Sequence, residues 1–239
     1  MIFGISGYKR PECKTYYTLK ALGYDDHEIV ICTNDQTDYE QYKKLYPNVI
    51  YTEGDCVADN RNALLEYAED NIVLCDDDIS GIKRIVAANT KNGVRFRKIT
   101  GRQELDEVLS DCFKQGETFG FYSLENAGFC WREVLENGLY STNRLYQGGF
   151  CGFRKGDLRY DRKWKVLDDY ELILRLIASG KAVKRRNDVV PFKGRMARAK
   201  GGYHDLYKMG IQKIYGERLL KAYKGLIKAN NDYTRFSLR

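Results

Sequence analysis

The 239-residue sequence has no apolar run of membrane-spanning length, and its mean hydropathy is −0.55, so a soluble globular chain is expected. The opening Met1-Ile2-Phe3-Gly4-Ile5-Ser6 lacks a signal-peptide pattern and reads as a strand. Histidine is scarce, with only His27 and His204. The seven cysteines are scattered, odd in number and never spaced C-x-x-C. That pattern speaks against a zinc cluster or a disulfide framework and for reduced thiols in a cytoplasmic setting. There is no G-x-G-x-x-G and no P-loop, which removes the dinucleotide and Walker fingerprints. No repeat, low-complexity segment or linker is visible. A single domain over residues 1–239 is therefore expected.

The chain is organised around Asn71-Ile72-Val73-Leu74-Cys75-Asp76-Asp77-Asp78. Ile72 to Cys75 reads as a buried strand, and three aspartates follow at once. Like charges packed at a strand end repel, and a cation among them relieves the strain. Hard divalent ions such as Mn²⁺ or Mg²⁺ take oxygen ligands and share them with phosphates. This points to a metal–diphosphate site at the carboxyl end of a sheet strand, where open α/β sheets bind ligands. The alternative is a solvated acidic turn.

The other elements follow in order. Ile2–Ser6 is a strand, and Gly7-Tyr8-Lys9-Arg10-Pro11 is a loop in which Tyr8 can stack on a base and Arg10 can meet a diphosphate. A helix runs from about Cys13 to Leu22. Glu28–Thr33 is a strand ending at Asp35, which either reads a base or caps the helix Thr37–Leu45. Asn48–Thr52 is a third strand. A helix over Asp55–Ala68 places Arg61 near a phosphate or the aspartates. Residues 83–99 read as a mobile loop or hairpin. A helix over Arg102–Lys114 follows, with Thr100 as its candidate N-cap. Phe119–Leu124 and Leu139–Leu145 read as strands, with Trp131 between them. Gln147–Arg154 is glycine-rich and lets backbone approach a sugar. Asp168 and Asp169 open a helix that ends at Gly180. Acidic residues there suit the helix dipole, and they also suit a general base. Val189–Phe192 reads as the last strand, Lys193–Gly202 as flexible, and Asp205–Lys228 as a final amphipathic helix.

Charge is uneven. Residues 181–239 hold 16 Lys and Arg against 4 Asp and Glu. Such a segment suits a polyanion, or is a solvated basic face.

The run Gly54–Leu64 with Asp59-Asn60-Arg61-Asn62, followed by Ile72–Asp78, resembles the family-2 type of GT-A glycosyltransferase. Gly148–Lys155 looks like the Gly/Phe-Arg segment of that family. Asp168-Asp169-Tyr170-Glu171-Leu172 with Arg175 looks like its Glu-Asp-x-x-Leu-x-x-Arg motif, with Asp168 in place of Glu. The resemblance spans roughly residues 2–180. The opening Ser6–Pro11 and the basic C-terminus narrow it to the phage-type TET-associated glycosyltransferases. The resemblance implies an α/β GT-A domain with a mostly parallel sheet, in which residues 1–80 are the nucleotide-sugar-binding half, 81–180 the acceptor-side half and 181–239 a basic C-terminal segment. It also implies an inverting, metal-dependent transfer from a UDP-sugar to 5-hydroxymethylpyrimidine in double-stranded DNA. By the same resemblance, Asp78, Asp76 and a late His204 hold Mn²⁺ or Mg²⁺. Tyr8, Arg10, Asp35, Arg61, Asp76 and Asp77 lie along the nucleotide-sugar. Asp169 is the catalytic base, with Asp168 beside it. Competing readings are a polysaccharide or protein acceptor, a nucleotidyltransferase, and a non-catalytic DNA-binding module.

Overall fold

A computed structural model describes residues 1–10, 12–89, 93–121, 134–146, 148–193, 210–231, 233 and 236–239. Pro11, Trp131, Gln147, His204, the 122–124 end of one expected strand and the 194–202 stretch lie outside them.

The N-terminal half alternates strand and helix: β1 (Ile2–Ser6), α1 (Lys14–Leu22), β2 (Ile29–Thr33), α2 (Gln36–Leu45), β3 (Val49–Tyr51), α3 (Val57–Tyr67) and β4 (Ile72–Asp76). Next come a hairpin of β5 (Ile79–Asn89) and β6 (Gly93–Lys98), then α4 (Arg102–Gln115), β7 (Thr118–Phe121), β8 (Tyr140–Thr142) and β9 (Phe150–Phe153). The chain continues through α5 (Asp168–Ala178), β10 (Lys184–Arg186), β11 (Val189–Lys193), α6 (Ile211–Ala222), β12 (Ile227–Ala229) and β13 (Phe236–Leu238).

The main sheet has eight strands in the order β3-β2-β1-β4-β9-β7-β10-β8. Its first four strands are parallel, as strand–helix–strand crossovers require. Strand β9 enters antiparallel between β4 and β7. The register sets the site. Ser6 pairs with Asp76, and Cys75 pairs with Phe150. The loop after β1, the aspartates after β4 and the glycines before β9 therefore share one sheet edge.

Strand alternation sends Phe3, Ile5, Val73 and Cys75 to one face, where α1 and α4 bury Leu19, Leu105 and Leu109 against them. Ile72, Leu74, Cys151 and Phe153 face α3 and α5 through Leu64, Leu172 and Leu176. Helix α5 is apolar on a second side as well. Leu167, Tyr170 and Leu174 pack there with Leu219 of α6 and with Ile227 and Phe236 of the last hairpin.

Several expectations change. Of the two readings for residues 83–99, a mobile loop or a hairpin, the pairing of β5 with β6 gives the hairpin, and β5 pairs on its other side with β11 in a separate three-stranded sheet. The N-cap of α4 is Gly101 rather than Thr100. The last helix ends at Ala222 instead of Lys228, because Gly225 at φ 88° turns the chain into β12 and β13. Val189–Phe192 is thus not the final strand. Strand β10 was hidden by its composition: Lys184-Arg185-Arg186 carries no apolar signal. Arg186 is nonetheless buried, paired with Asp188 and Asp111.

Candidate active site

The first turns of α3 carry polar residues where an ordinary helix would be apolar, and each one anchors a different loop. Asp59 accepts the backbone N–H groups of Asp55 and Cys56 at 3.0 and 3.1 Å, which caps the helix, and it pairs with Arg162. Asn60 donates to the Gly7 carbonyl and so holds the loop after β1. Asn62 clasps the Tyr160 backbone through both its N–H and its carbonyl, at 2.8 and 3.0 Å. Arg61 lies between them, 6 % exposed. Its guanidinium donates to Asp168 at 2.6 Å, reaches Asp76 at 3.5 Å and rests 5.2 Å from the centre of the Tyr160 ring.

Arg61 thus ties the end of β4 to the start of α5. A second tie runs through the glycines. The Asp76 N–H donates to the Gly149 carbonyl at 2.9 Å, and the Gly148 N–H donates to Asp169 Oδ2 at 2.8 Å. A Cβ on Gly148 would stand 2.8 Å from Asp169 Cβ and 3.3 Å from the Arg61 guanidinium. Glycine is needed there for this close approach.

Asp168 is 4 % exposed, and burial, opposed by Arg61 and reinforced by Asp169, lifts its pKa to about 6. Asp169 is half-buried, with Oδ1 accepting the Tyr170 N–H at 2.8 Å. It is the member of the pair open to solvent. The residue before them, Leu167, sits in the left-handed region at φ 61°, ψ 22°, with its side chain buried against the α6 cluster.

The aspartate turn divides its work. Asp77 is buried, ion-paired with Arg10 and bonded to the backbone of Tyr8, so it fastens the loop after β1. Burial, offset in part by Arg10 and reinforced by Asp78 and Asp76, lifts its pKa to about 7. Asp78 Oδ2 lies 3.2 Å from Arg10, while Asp78 Oδ1 is buried with no hydrogen-bond partner among the described residues. A carboxylate oxygen left this way fits a cation ligand.

At the end of β2 the side chain of Asp35 accepts the Asp38 N–H at 3.0 Å, so it caps α2. The neighbouring Asn34 donates to the Cys56 carbonyl and keeps a buried Oδ1 with no hydrogen-bond partner among the described residues. Tyr8 is half-buried under the Lys9 ammonium.

Residues 1–202 match the family model of the TET-associated glycosyltransferases. The chain belongs to that family. That family is one of glycosyltransferases, and the fold is GT-A. No curated protein sequence is significantly similar to it. Among solved structures, the mannosyltransferase PcManGT from Pyrobaculum calidifontis, in complex with GDP-Man and Mn²⁺, superposes with a TM-score of 0.58 at 14 % identity. That alignment covers 97 % of this chain and 66 % of the other, so the glycosyltransferase spans just under two thirds of its relative's length. A CMP:2-keto-3-deoxy-manno-octonic acid synthetase complexed with CTP gives a TM-score of 0.47 at 11 % identity, over 91 % of this chain and 98 % of that one, which is too distant to carry an argument.

In this glycosyltransferase Arg61, Asp76, Asp168 and Asp169 converge on one cluster, and Arg10, Asp77 and Asp78 form the adjoining one. Asp35 is engaged in capping. Asn34 beside Asp35, Tyr160 against Arg61 and Leu167 before Asp168 adjoin these residues and were not foreseen. Asn34 had a visible signal, since a polar residue closes an apolar strand beside Asp35. Tyr160 and Leu167 lie in a loop with no periodicity. No helix among the described residues is long and apolar enough to cross a membrane.

Proposed function

We propose that the glycosyltransferase moves a sugar from a nucleotide-diphosphate donor, a UDP-sugar in the first instance, to the hydroxyl of a 5-hydroxymethylpyrimidine in duplex DNA, with inversion. The observation that carries this reading is the pairing of Asp169 with the aspartate turn through Gly148–Gly149. One strip of backbone holds an acceptor-side carboxylate and a donor-side carboxylate in fixed relation.

Asp169 is the base. Its carboxylate takes the proton of the acceptor hydroxyl as that oxygen attacks the anomeric carbon, and the nucleoside diphosphate leaves from the opposite face. Gly148 and the Tyr170 N–H orient the carboxylate. Asp168 and Arg61 are positioning residues that set the first turn of α5 against the end of β4. Asp78, with Asp76, would hold Mn²⁺ or Mg²⁺, which when bound neutralises the leaving diphosphate. The free Asp78 oxygen supports this assignment, as does the Mn²⁺ of the mannosyltransferase relative. Arg10, on the loop after β1, would meet the diphosphate, and Asn34, at the end of β2, would meet the base. A target base in duplex DNA must leave the stack to reach Asp169.

The test is incubation with Mn²⁺, UDP- and GDP-sugars, and duplex DNA with or without 5-hydroxymethylcytosine, read by nucleoside mass spectrometry. A hexose-sized gain confined to the modified DNA is expected. Asp169→Asn should cut transfer by about 10²–10⁴-fold while donor binding persists. Donor hydrolysis without any DNA product would move the acceptor elsewhere, and equal transfer by Asp169→Asn would remove it as the base.

A further inference from the structure

The three-stranded sheet carries two like-charged pairs across the β5–β6 ladder. Arg84 stands opposite Arg97, and Lys83 stands opposite Lys98. Directly opposed like charges destabilise a sheet unless something neutralises them. On one face the arginines are neutralised: Arg97 is forked onto Glu104, and Arg84 reaches Glu104 at 3.7 Å and Asp188 at 3.0 Å. On the other face the lysines have no carboxylate partner among the described residues.

That second face is built from Lys83, Ile85, Phe96, Lys98, Val190 and Phe192, placed together by the register. The Lys83 ammonium sits 4.6 Å from the centre of the Phe192 ring, and Phe96 packs with Ile85 on Val190. Lys98 is exposed, and Lys83, Phe96 and Phe192 are half-exposed. Among the described residues the face holds two cations, two aromatic rings and no acid. Cations interleaved with aromatic rings complement nucleic acid, whose phosphates are anionic and whose bases stack. It is also continuous with the catalytic edge. Strand β5 leaves the aspartate turn directly, so Lys83 stands five residues from Asp78, about 16 Å along an extended strand.

We propose that this face of the β11-β5-β6 sheet is the rail on which the phosphate backbone of duplex DNA lies while a base is presented at Asp169. The proposal rests on DNA being the acceptor, and it assigns the backbone contact to this sheet rather than to the basic C-terminal segment alone.

The test measures binding of a fluorescent duplex by anisotropy across a salt series, for the full chain and for Lys83→Gln/Lys98→Gln. The double variant should bind about tenfold more weakly, with the slope of log K against log salt shallower by about 2. Lys83→Arg/Lys98→Arg should bind like the parent. The Gln variant should melt no lower than the parent, since the opposed charges are gone, and should still hydrolyse nucleotide-sugar without acceptor. DNA bound by the parent and by the Gln variant with equal affinity and slope overturns the rail and leaves the acceptor reading standing. A parent that binds no duplex at low salt overturns both.

Discussion

Arg61→Ala offers the sharpest test of how the site is held. Arg61 and Asp168 are 6 % and 4 % exposed and 2.6 Å apart. Removing one partner of a buried pair leaves the other charge uncompensated, at about 3–5 kcal/mol. For a chain of this length that corresponds to a fall of about 6–20 °C in Tm. The loss must depend on pH. Asp168 already titrates at about 6, above the unfolded value of about 3.9, so the folded chain holds this proton more tightly. Stability from this group therefore falls as pH rises from about 4 to about 6. Arg61 is the group that restrains the shift. Without it the folded pKa climbs further and the falling window extends upward. The variant's deficit should be largest at pH 8 and smaller at pH 5 by about 1 kcal/mol or more, since one pKa unit is worth about 1.4 kcal/mol. Urea unfolding at both pH values measures this. Arg61→Met/Asp168→Leu should recover most of the stability, because a buried pair replaced by apolar groups leaves no orphaned charge. An equal deficit at both pH values, or a loss below about 1 kcal/mol, would refute the account of a buried, mutually dependent pair.

Other outcomes follow from the same geometry. Gly148→Ala should reduce transfer by at least about tenfold with little change in donor KM, since its Cβ displaces Asp169 and not the nucleotide loop. Steady-state kinetics with varied donor would expose the error if KM alone rose. Asp78→Ala should leave nucleoside diphosphate binding weak and the same with or without Mn²⁺ in titration calorimetry. Metal-enhanced binding in that variant would remove Asp78 as the ligand. Gly152→Ala puts a Cβ 2.1 Å from the Phe119 ring and should cost about 1–3 kcal/mol by chemical denaturation, through overpacking alone. Wild-type stability there would mean that the ring moves aside freely.

The N-terminal half was legible because its signals are local. Apolar runs alternate with helical periodicity, and aspartates at strand ends mark the ligand edge. Every strand and α-helix from Ile2 to Asp76 was anticipated within a few residues, while the 3₁₀ turn Asp26–Glu28 was not. The order of the second half depends on pairing that no local pattern encodes. β9 slots between β4 and β7 because Cys75 and Phe150 share a register. β11 leaves the main sheet for β5. Lys184-Arg185-Arg186 becomes a strand because buried partners satisfy it. At the site, the structure brings together the carboxylates that the sequence singled out, and it gives them different surroundings that the sequence does not show. Asp77 and Asp78 look alike in sequence, yet one fastens a loop and the other keeps a free oxygen. Burial separates Asp168 from Asp169 in the same way, and burial depends on what α6 and Arg61 do from far along the chain.

The match to the family stops at residue 202, yet Leu219, Ile227 and Phe236 form the outer wall of the helix that carries Asp169. Tyr223 reaches that helix too, donating to Glu171 at 3.1 Å. The segment beyond the shared core is therefore mortared to the catalytic helix rather than hung from it. Relatives that differ only past this boundary can differ in how firmly the base is seated. A hybrid enzyme joined at the boundary would exchange an active-site support, not an accessory.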